Sequence, residues 1–203
     1  MALSRTDIVQ AALQLLDEVG LERLSLRGLA TKLEVKAATL YWYVKSKQEL
    51  IDEMAAAMMA AAWQDDVPKP SEPWDVWLTW VARSQRSGML SRRDGALLAV
   101  RSSQTDDQWQ AVEGLLHMLQ RDGFSLDDAM RGLGALTNFV LGSTLEEQQA
   151  MGQKGAVTTM QEPDTFPLSA RALTGTKDFD AMFTHGLTLI LDGMRLRVRR
   201  FEA

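Results

Sequence analysis

The chain has 203 residues, 46% hydrophobic and 24% charged, enough for a globular core that needs no covalent staples. Cys is absent, which excludes a thiol nucleophile and a disulfide framework, and two His far apart argue against a multi-His zinc site, although one could still join a carboxylate. The net charge of −5 is uneven: residues 1–47 hold seven Lys and Arg against five carboxylates and the remainder carries −7, a balance that suits local contact with nucleic acid and not wholesale wrapping.

Ile8, Ala11, Ala12, Leu15, Leu16 and Val19 recur at helical spacing, predicting an amphipathic helix opened by Ser4, with Asp7 three residues on, and closed near Gly20. Ser25 caps a short second helix with Leu26, Leu29, Ala30 and Leu33 on one face, ending at Glu34-Val35. A third starts near Lys36 and turns Leu40 and Val44 inward. Ser46 and Glu49 predict a second capping box, leading a helix through Leu50, Met54, Ala57, Met58 and Ala61. Pro68, Pro70 and Pro73 then break the pattern, so the expected units are 1–47, a connecting helix over 48–66, and 67–203.

Trp77, Trp80, Val81 and Ser84 share a face of the next helix, a loop follows at Ser91-Arg92-Arg93-Asp94-Gly95, and Leu97 and Leu98 begin a short element. Asp106 to Gln120 is amphipathic, with Asp106 expected as a cap, and Asp127 likewise for the next helix. Ser125 to Gln149 is apolar on nearly every side, which predicts burial on more than one face. Residues 151–177 read as a polar loop with at most a short helix, and a last helix runs from Phe179 to about Arg199. Arg195, Arg197, Arg199 and Arg200 read as partners of that helix's dipole rather than a nucleic-acid tail. No segment alternates with period two, so the expected fold is all-α. No apolar run approaches the roughly 20 residues of a membrane helix, and MALSRTDIVQ lacks the apolar block of a signal peptide, so the expectation is a cytoplasmic protein without membrane contact.

Two short helices joined by a tight turn and braced by a longer one have helix-turn-helix geometry. Ala37, Ala38 and Thr39 open the third helix, and Tyr41, Trp42 and Tyr43, read as exposed, follow. Against DNA, hydroxyls bond phosphates and rings or methyls pack on sugar and thymine. Arg27 could fork onto guanine, Lys36 adds charge beside the third helix, and Lys47 at a helix start suits a phosphate. The alternative is that Tyr41 and Trp42 simply pack on the body.

The stretch SLRGLATKLEVKAATLYWYVKSKQEL, Ser25 to Leu50, resembles the TetR family of bacterial repressors. LSRRDGALLAV, GFSLDDAMRGLGALTNFVLGSTLEEQQ and the final amphipathic helix look like that family's tetracycline-repressor type of regulatory domain. The resemblance implies a helix-turn-helix head on a helical ligand-binding and dimerisation body, operator DNA and a small-molecule inducer as partners, and a homodimer. It also implies that Arg27, Ala37, Ala38, Thr39, Tyr41, Trp42, Tyr43 and Lys47 fall where the family contacts DNA. Glu34 departs from the pattern, standing where such repressors commonly have Gly; a left-handed Glu34 would cost about 1–2 kcal/mol.

The candidate ligand wall comprises Trp63, Trp77, Trp80, Val81, Gln85, Ala99, Ser102, Ser103, Trp109, Val112, Leu115, Met130, Leu133, Gly134 and Asn138, with Met89 and Met118 near it. Trp and Met on helical faces also build ordinary cores, so each alone is ambiguous. Tetracycline-type repressors hold a magnesium–drug chelate with imidazoles; by the resemblance those positions read Trp63, Val81, Gln85, Ala99, Ser102, Ser103 and Leu115 here. The expected ligand is therefore apolar and aromatic, oriented by Gln85, Ser102, Ser103, Asn138 or His117, with no Lys or Arg inside and with no metal or cofactor. Glu146 and Glu147 are adjacent, so on a helix they point about 100° apart and are left open as ligands. Rival readings are a ligand-sequestering protein with a degenerate head and a small hydrolase or isomerase using Glu146 or His117. Catalysis has little support, because the acid pairs are adjacent rather than facing and neither His has a nucleophile partner.

Overall fold

The computed structural model describes residues 3–63, 66–152, 165–172 and 178–198. Among them there are ten helices and no strand. The helix α1 (Arg5–Val19) opens on a complete capping box: Ser4 Oγ accepts from Asp7 N at 3.1 Å and the Asp7 carboxylate accepts from Ser4 N at 3.0 Å. The Ser4 hydroxyl, donating to the Asp7 carboxylate at 2.6 Å, and the Ser4 N–H together hold that carboxyl below its ordinary range. Ser25 Oγ accepts from Gly28 N at the head of α2 (Leu26–Lys32).

Two expectations fail in this region. The third helix, expected like the second to span about two turns, is a single turn, α3 (Ala37–Leu40), and residues 41–43 continue it only as a turn. At α4 (Lys47–Ala62) Ser46 Oγ does accept from Glu49 N, at 3.0 Å, but the return arm of the capping box is missing. The Glu49 carboxylate instead accepts from Lys45 N at 2.6 Å and from Arg5 Nη2 at 2.5 Å. The Lys45 N–H and the Arg5 guanidinium each take one oxygen in place of Ser46 N, and these bonds lower the Glu49 carboxyl below its ordinary range. Arg5 also bonds Glu53, which ties α1 to α4 beside Ile8, Leu29, Leu40, Val44 and Leu50, all fully buried.

The body comprises α5 (Trp74–Leu90), α6 (Gly95–Arg101), α7 (Asp106–Arg121), α8 (Leu126–Gly152), α9 (Pro167–Ala172) and α10 (Phe179–Arg195). The caps expected at Asp106 and Asp127 lie one and two residues earlier. Thr105 Oγ1 accepts from Gln108 N, and Ser125 Oγ accepts from Asp128 N at 3.1 Å, because a hydroxyl just outside the helix reaches the third free N–H. Trp74, which the periodicity did not single out, is buried edge-on against Phe124, ring centroids 5.0 Å apart.

The helix α8 buries one stripe: Ala129, Gly132, Leu133, Leu136, Val140, Thr144 and Glu147. Met130, Gly134, Asn138 and Gly142 stay exposed, so the expected burial on more than one face is not met within one chain. The last helix ends at Arg195; Arg199 and Arg200 lie outside the described residues, as does most of the 151–177 segment. Arg195 bonds Asp75 of α5 at 2.6 Å, fastening the end of α10 to the start of α5. Gly186 is where α10 approaches α8 of the same chain, since a Cβ there would stand 2.4 Å from the Phe139 ring. No helix among the described residues is long and apolar enough to cross a membrane.

Candidate functional site

The head presents Trp42 at 89% exposure and Tyr41 at 56%, while Arg27, Lys36, Ala38 and Lys47 are also exposed and Thr39 is half-buried. Tyr43 and Ala37 differ from the expectation of outward residues: both are half-buried against the core, because the turn after α3 rotates Tyr43 toward Leu40 and Val44. An indole left in water gains almost nothing from burial, so packing does not explain why Trp42 is there. Lys47 sits in the first turn of α4, where N–H groups lack intrahelical acceptors, a setting that favours phosphate.

Glu34 is left-handed, with φ 55°. Glu34 N donates to Thr31 O at 3.2 Å and Val35 N to Ala30 O at 3.0 Å, the paired bonds of a Schellman ending in which Glu34 holds the glycine position.

In the body, Trp63 at the end of α4, Trp77, Trp80 and Val81 on α5, and Ala111, Gly114, Leu115 and Met118 on α7 enclose a cleft of about 390 Å³, with Pro70 and Arg121 at its edge. Trp80 stands between the other two indoles, 5.9 Å from Trp63 and 5.8 Å from Trp77. Trp77 Nε1 donates to Lys69 O at 3.2 Å, which fixes its ring. Trp63 Nε1 is buried without an acceptor. A more open groove of about 470 Å³ lies on the other side of Trp80, among Asp66, Glu72, Asp75 and Arg83. Its charged walls suit water better than an apolar guest.

Of the candidate wall, Trp63, Trp77, Trp80, Val81 and Leu115 meet in this cleft and the rest do not line it. Leu133 belongs to the core, Ala99 packs partly buried against it, and Gln85 and Val112 are half-buried elsewhere. Met130, Gly134 and Asn138 lie on the uncovered face of α8, and Trp109 is 49% exposed. Ser102 Oγ turns back to Ala99 O, and Ser103 N donates to Asp52, so both serve the end of α6. Met89 is core, and His117 is exposed beside Glu113. Arg121 corrects the expectation of a cleft without cations, although it is 60% exposed and bonded to Asp122 at 3.0 Å. Met118, expected near the wall, joins it; Ala111 and Gly114 were missed, yet their spacing of three and four with Leu115 and Met118 puts all four on one face of α7, which was a readable signal.

Glu147 is buried and held in bidentate fashion by Arg86, Nε to Oε2 at 2.9 Å and Nη2 to Oε1 at 3.0 Å. Arg86 also bonds Asp180 at 2.7 Å and lies 4.7 Å over the Phe183 ring, so α5, α8 and α10 meet at one guanidinium. The carboxylates of Glu147 and Asp180 raise the Arg86 pKa against the opposing pull of burial, and the same contact lowers Asp180. Glu146 is exposed. Among the described residues no three His, Asp or Glu gather as a metal-binding group.

Head and body join at two places. Arg92 Nη1 and Arg93 N donate to the Asp17 carboxylate at 2.8 and 3.0 Å, Arg93 Nη1 donates to Glu18 O, and Leu21 N donates to Asp94 Oδ2 at 2.8 Å. At the far end of α6, Arg101 Nη2 donates to the Glu22 carboxylate of the head at 2.5 Å, Gln48 Nε2 donates to Arg101 O at 2.8 Å, and Ser103 N donates to Asp52 Oδ1 at 2.7 Å.

Residues 8–54 match the family model described as bacterial regulatory proteins of the tetR family, and residues 67–198 match the tetracyclin repressor-like C-terminal domain. The class A tetracycline repressor of transposon 1721 from Escherichia coli is 35% identical, aligned over 96% of this chain and 93% of its own length. A possible TetR family regulator from Streptomyces coelicolor superposes with a TM-score of 0.82 at 33% identity, covering 95% of this chain and 99% of that one. The class A repressor solved with 5a,6-anhydrotetracycline and magnesium gives 0.77 at 32% identity, covering 96% and 99%. The all-α fold, the helix-turn-helix head and the similarity along nearly the full length agree: the chain belongs to the TetR family of ligand-responsive, DNA-binding transcriptional repressors.

Proposed function

We propose that the chain represses transcription as a homodimer on a palindromic operator and is released by a planar, largely apolar aromatic ligand without magnesium. The observation that carries the ligand reading is the trio Trp63, Trp80 and Trp77, whose rings offer stacking surface to a flat guest in a cleft of about 390 Å³. The donor set does not suit a magnesium chelate of the kind seen in the class A repressor. Among the described residues no imidazole or carboxylate lines the cleft, and the Glu147 carboxylate is engaged in bidentate fashion by Arg86.

In this reading Arg27, Lys36, Ala38, Thr39, Tyr41, Trp42 and Lys47 meet the operator, with residues 1–47 as reader, 48–66 as connector and 67–203 as ligand-binding and dimerisation body. The chain has a regulatory rather than enzymatic role and works in the cytoplasm with its DNA. The uncovered face of α8 and the exposed Met182 and Leu189 of α10 support a two-fold seam that sets two reading heads about 34–36 Å apart. Tryptophan fluorescence titrated with 5a,6-anhydrotetracycline and with an anthraquinone tests the ligand reading, each in magnesium and in chelator. Quenching by the anthraquinone that chelator leaves unchanged and Trp80→Ala weakens is the expected result. Binding only of the tetracycline and only with magnesium would overturn it.

A further inference from the structure

We infer that Gln148 is the positioning residue that sets the angle of the DNA-reading head on the body, an inference that rests on the dimeric repressor reading above. Its half-buried carboxamide makes three hydrogen bonds to the backbone of one corner. Oε1 accepts from Ala96 N at 2.9 Å, and Nε2 donates to the carbonyls of Met89 and Arg92, both at 2.8 Å. Those three residues are the last turn of α5, the connecting turn, and the first turn of α6. One acceptor facing an N–H and two donors facing carbonyls leave a single orientation, since a flipped amide would set N–H against N–H. Only Gln or Asn carries that donor and acceptor pattern, and Asn is a methylene too short.

The corner that Gln148 holds is the corner that holds the head. Asp94, left-handed at φ 55°, takes the Leu21 N–H, while Arg92 and Arg93 grip Asp17 and Glu18 at the end of α1. The approach leaves no slack on either side. A Cβ on Gly20 would stand 2.9 Å from the Asp94 carboxylate, and one on Gly95 would stand 2.1 Å from Met89 O. On the other side of Gln148, its neighbour Glu147 is clamped to Arg86, which fixes the register of α8 against α5. A bonded path therefore runs from α8, whose outer face forms the proposed seam, through residues 89–96 to residues 17–21 of the head. The second joint, at Glu22, Gln48 and Asp52, meets only the far end of α6; its ion pair to the head, Glu22 with Arg101, is exposed, and none of its bonds touches α8.

The chain has no Cys, so one exposed residue of α1, Gln14, can be changed to Cys and spin-labelled in the full-length protein. Pulsed dipolar spectroscopy then reads the distance between the two heads of a dimer. A narrow distribution is expected for Gln148 and a broadened one for Gln148→Glu, which sets carboxylate oxygen against two carbonyls, and for Gln148→Met, which keeps the length and loses all three bonds. On a palindrome selected from random DNA by the parent protein, both variants should bind about tenfold more weakly and lose discrimination against one inserted base pair between the half-sites. Dimer affinity and helicity should match Gln149→Met, a control at the exposed neighbour. If Gln148→Glu fails to fold, Gln148→Met carries the test. Folded dimers of either variant with the parent head distance and spacing discrimination would overturn the inference. A parent protein with no distance between protomers would overturn the dimer reading instead.

Discussion

In the head, every large side chain that is fully buried is aliphatic, while Tyr41 and Trp42 stand in solvent; in the body, three neighbouring Trp rings wall a cleft that no described residue fills. Each region keeps aromatic surface where packing does not use it. The head spends that surface outward on a convex face, which suits a groove of DNA, and the body keeps it inside a concavity, which suits a small guest. The two regions also differ in how they are held. The head rests on one aliphatic core with Arg5 as an outer tie, whereas the body carries a buried ion cluster at Arg86.

The most disruptive way to break this comparison is to separate the two copies of the body while leaving both regions folded. Leu187 is buried within the chain, so charging it would unfold the body and prove little. Leu189 is 59% exposed and Met182 is 50% exposed, so they report on the seam alone. Leu189→Glu with Met182→Glu should give a folded monomer by sedimentation. Its operator affinity should fall by about 4 kcal/mol or more, because each head then binds its half-site alone. A variant that stays dimeric and binds DNA normally would place the seam elsewhere.

Next in size is the ion cluster. Arg86→Ala leaves the Glu147 carboxylate buried without its partner, a loss of about 3 kcal/mol in stability by urea unfolding. Arg86→Met with Glu147→Leu should recover much of that loss, since matched apolar groups leave no stranded charge. If the single variant unfolds at the parental urea concentration, the cluster is solvated and does not brace α5, α8 and α10.

The head was the more legible region because its signals are local. Ser4 with Asp7, and Ser25, announce helix starts within four residues, and Glu34 falls where a Schellman ending needs its left-handed residue. The body depends on which faces meet, and that is set by partners distant in sequence. Ser102 and Ser103 are polar and near the cleft in sequence, yet they turn toward α6 and α4. Met130 and Asn138 lie on a helix apolar nearly all round, where periodicity cannot choose between the core and a second subunit. Gln148 had no sequence signal at all, because its acceptor and donor pattern matches a backbone corner more than fifty residues earlier. The return arm expected of Glu49 failed partly for the same reason, since one carboxylate oxygen is taken by Arg5 from another helix while the other goes to the neighbouring Lys45 N.

A finer test concerns the reading surface itself. Arg27→Ala should relax preference at one base pair by about 1–3 kcal/mol in competition binding, while Lys47→Ala should weaken every sequence alike and reduce the salt slope by about one. Both residues are exposed, so neither change should alter the melting temperature. Unchanged affinity and selectivity in both would remove the reading surface from this face of the head.

The smallest expected effect sharpens the comparison by improving the head alone. Glu34 carries a steric penalty at φ 55° that glycine avoids, about 1–2 kcal/mol on the usual scale for a left-handed residue. Part of the gain from Glu34→Gly is offset by the greater freedom of glycine in the unfolded chain. The net rise in stability is then a few tenths to about 1 kcal/mol, visible as a melting temperature higher by about 1–4 °C for a chain of this size. The same change removes an exposed carboxylate from the turn between α2 and α3, beside phosphates in the proposed complex, so DNA affinity should rise, most at low salt. The two readouts separate by Glu34→Gln, which keeps the strained backbone and loses only the charge. If Glu34→Gln matches Glu34→Gly in melting temperature, the left-handed turn carries no measurable strain. If it fails to raise affinity at low salt, Glu34 does not face the phosphates.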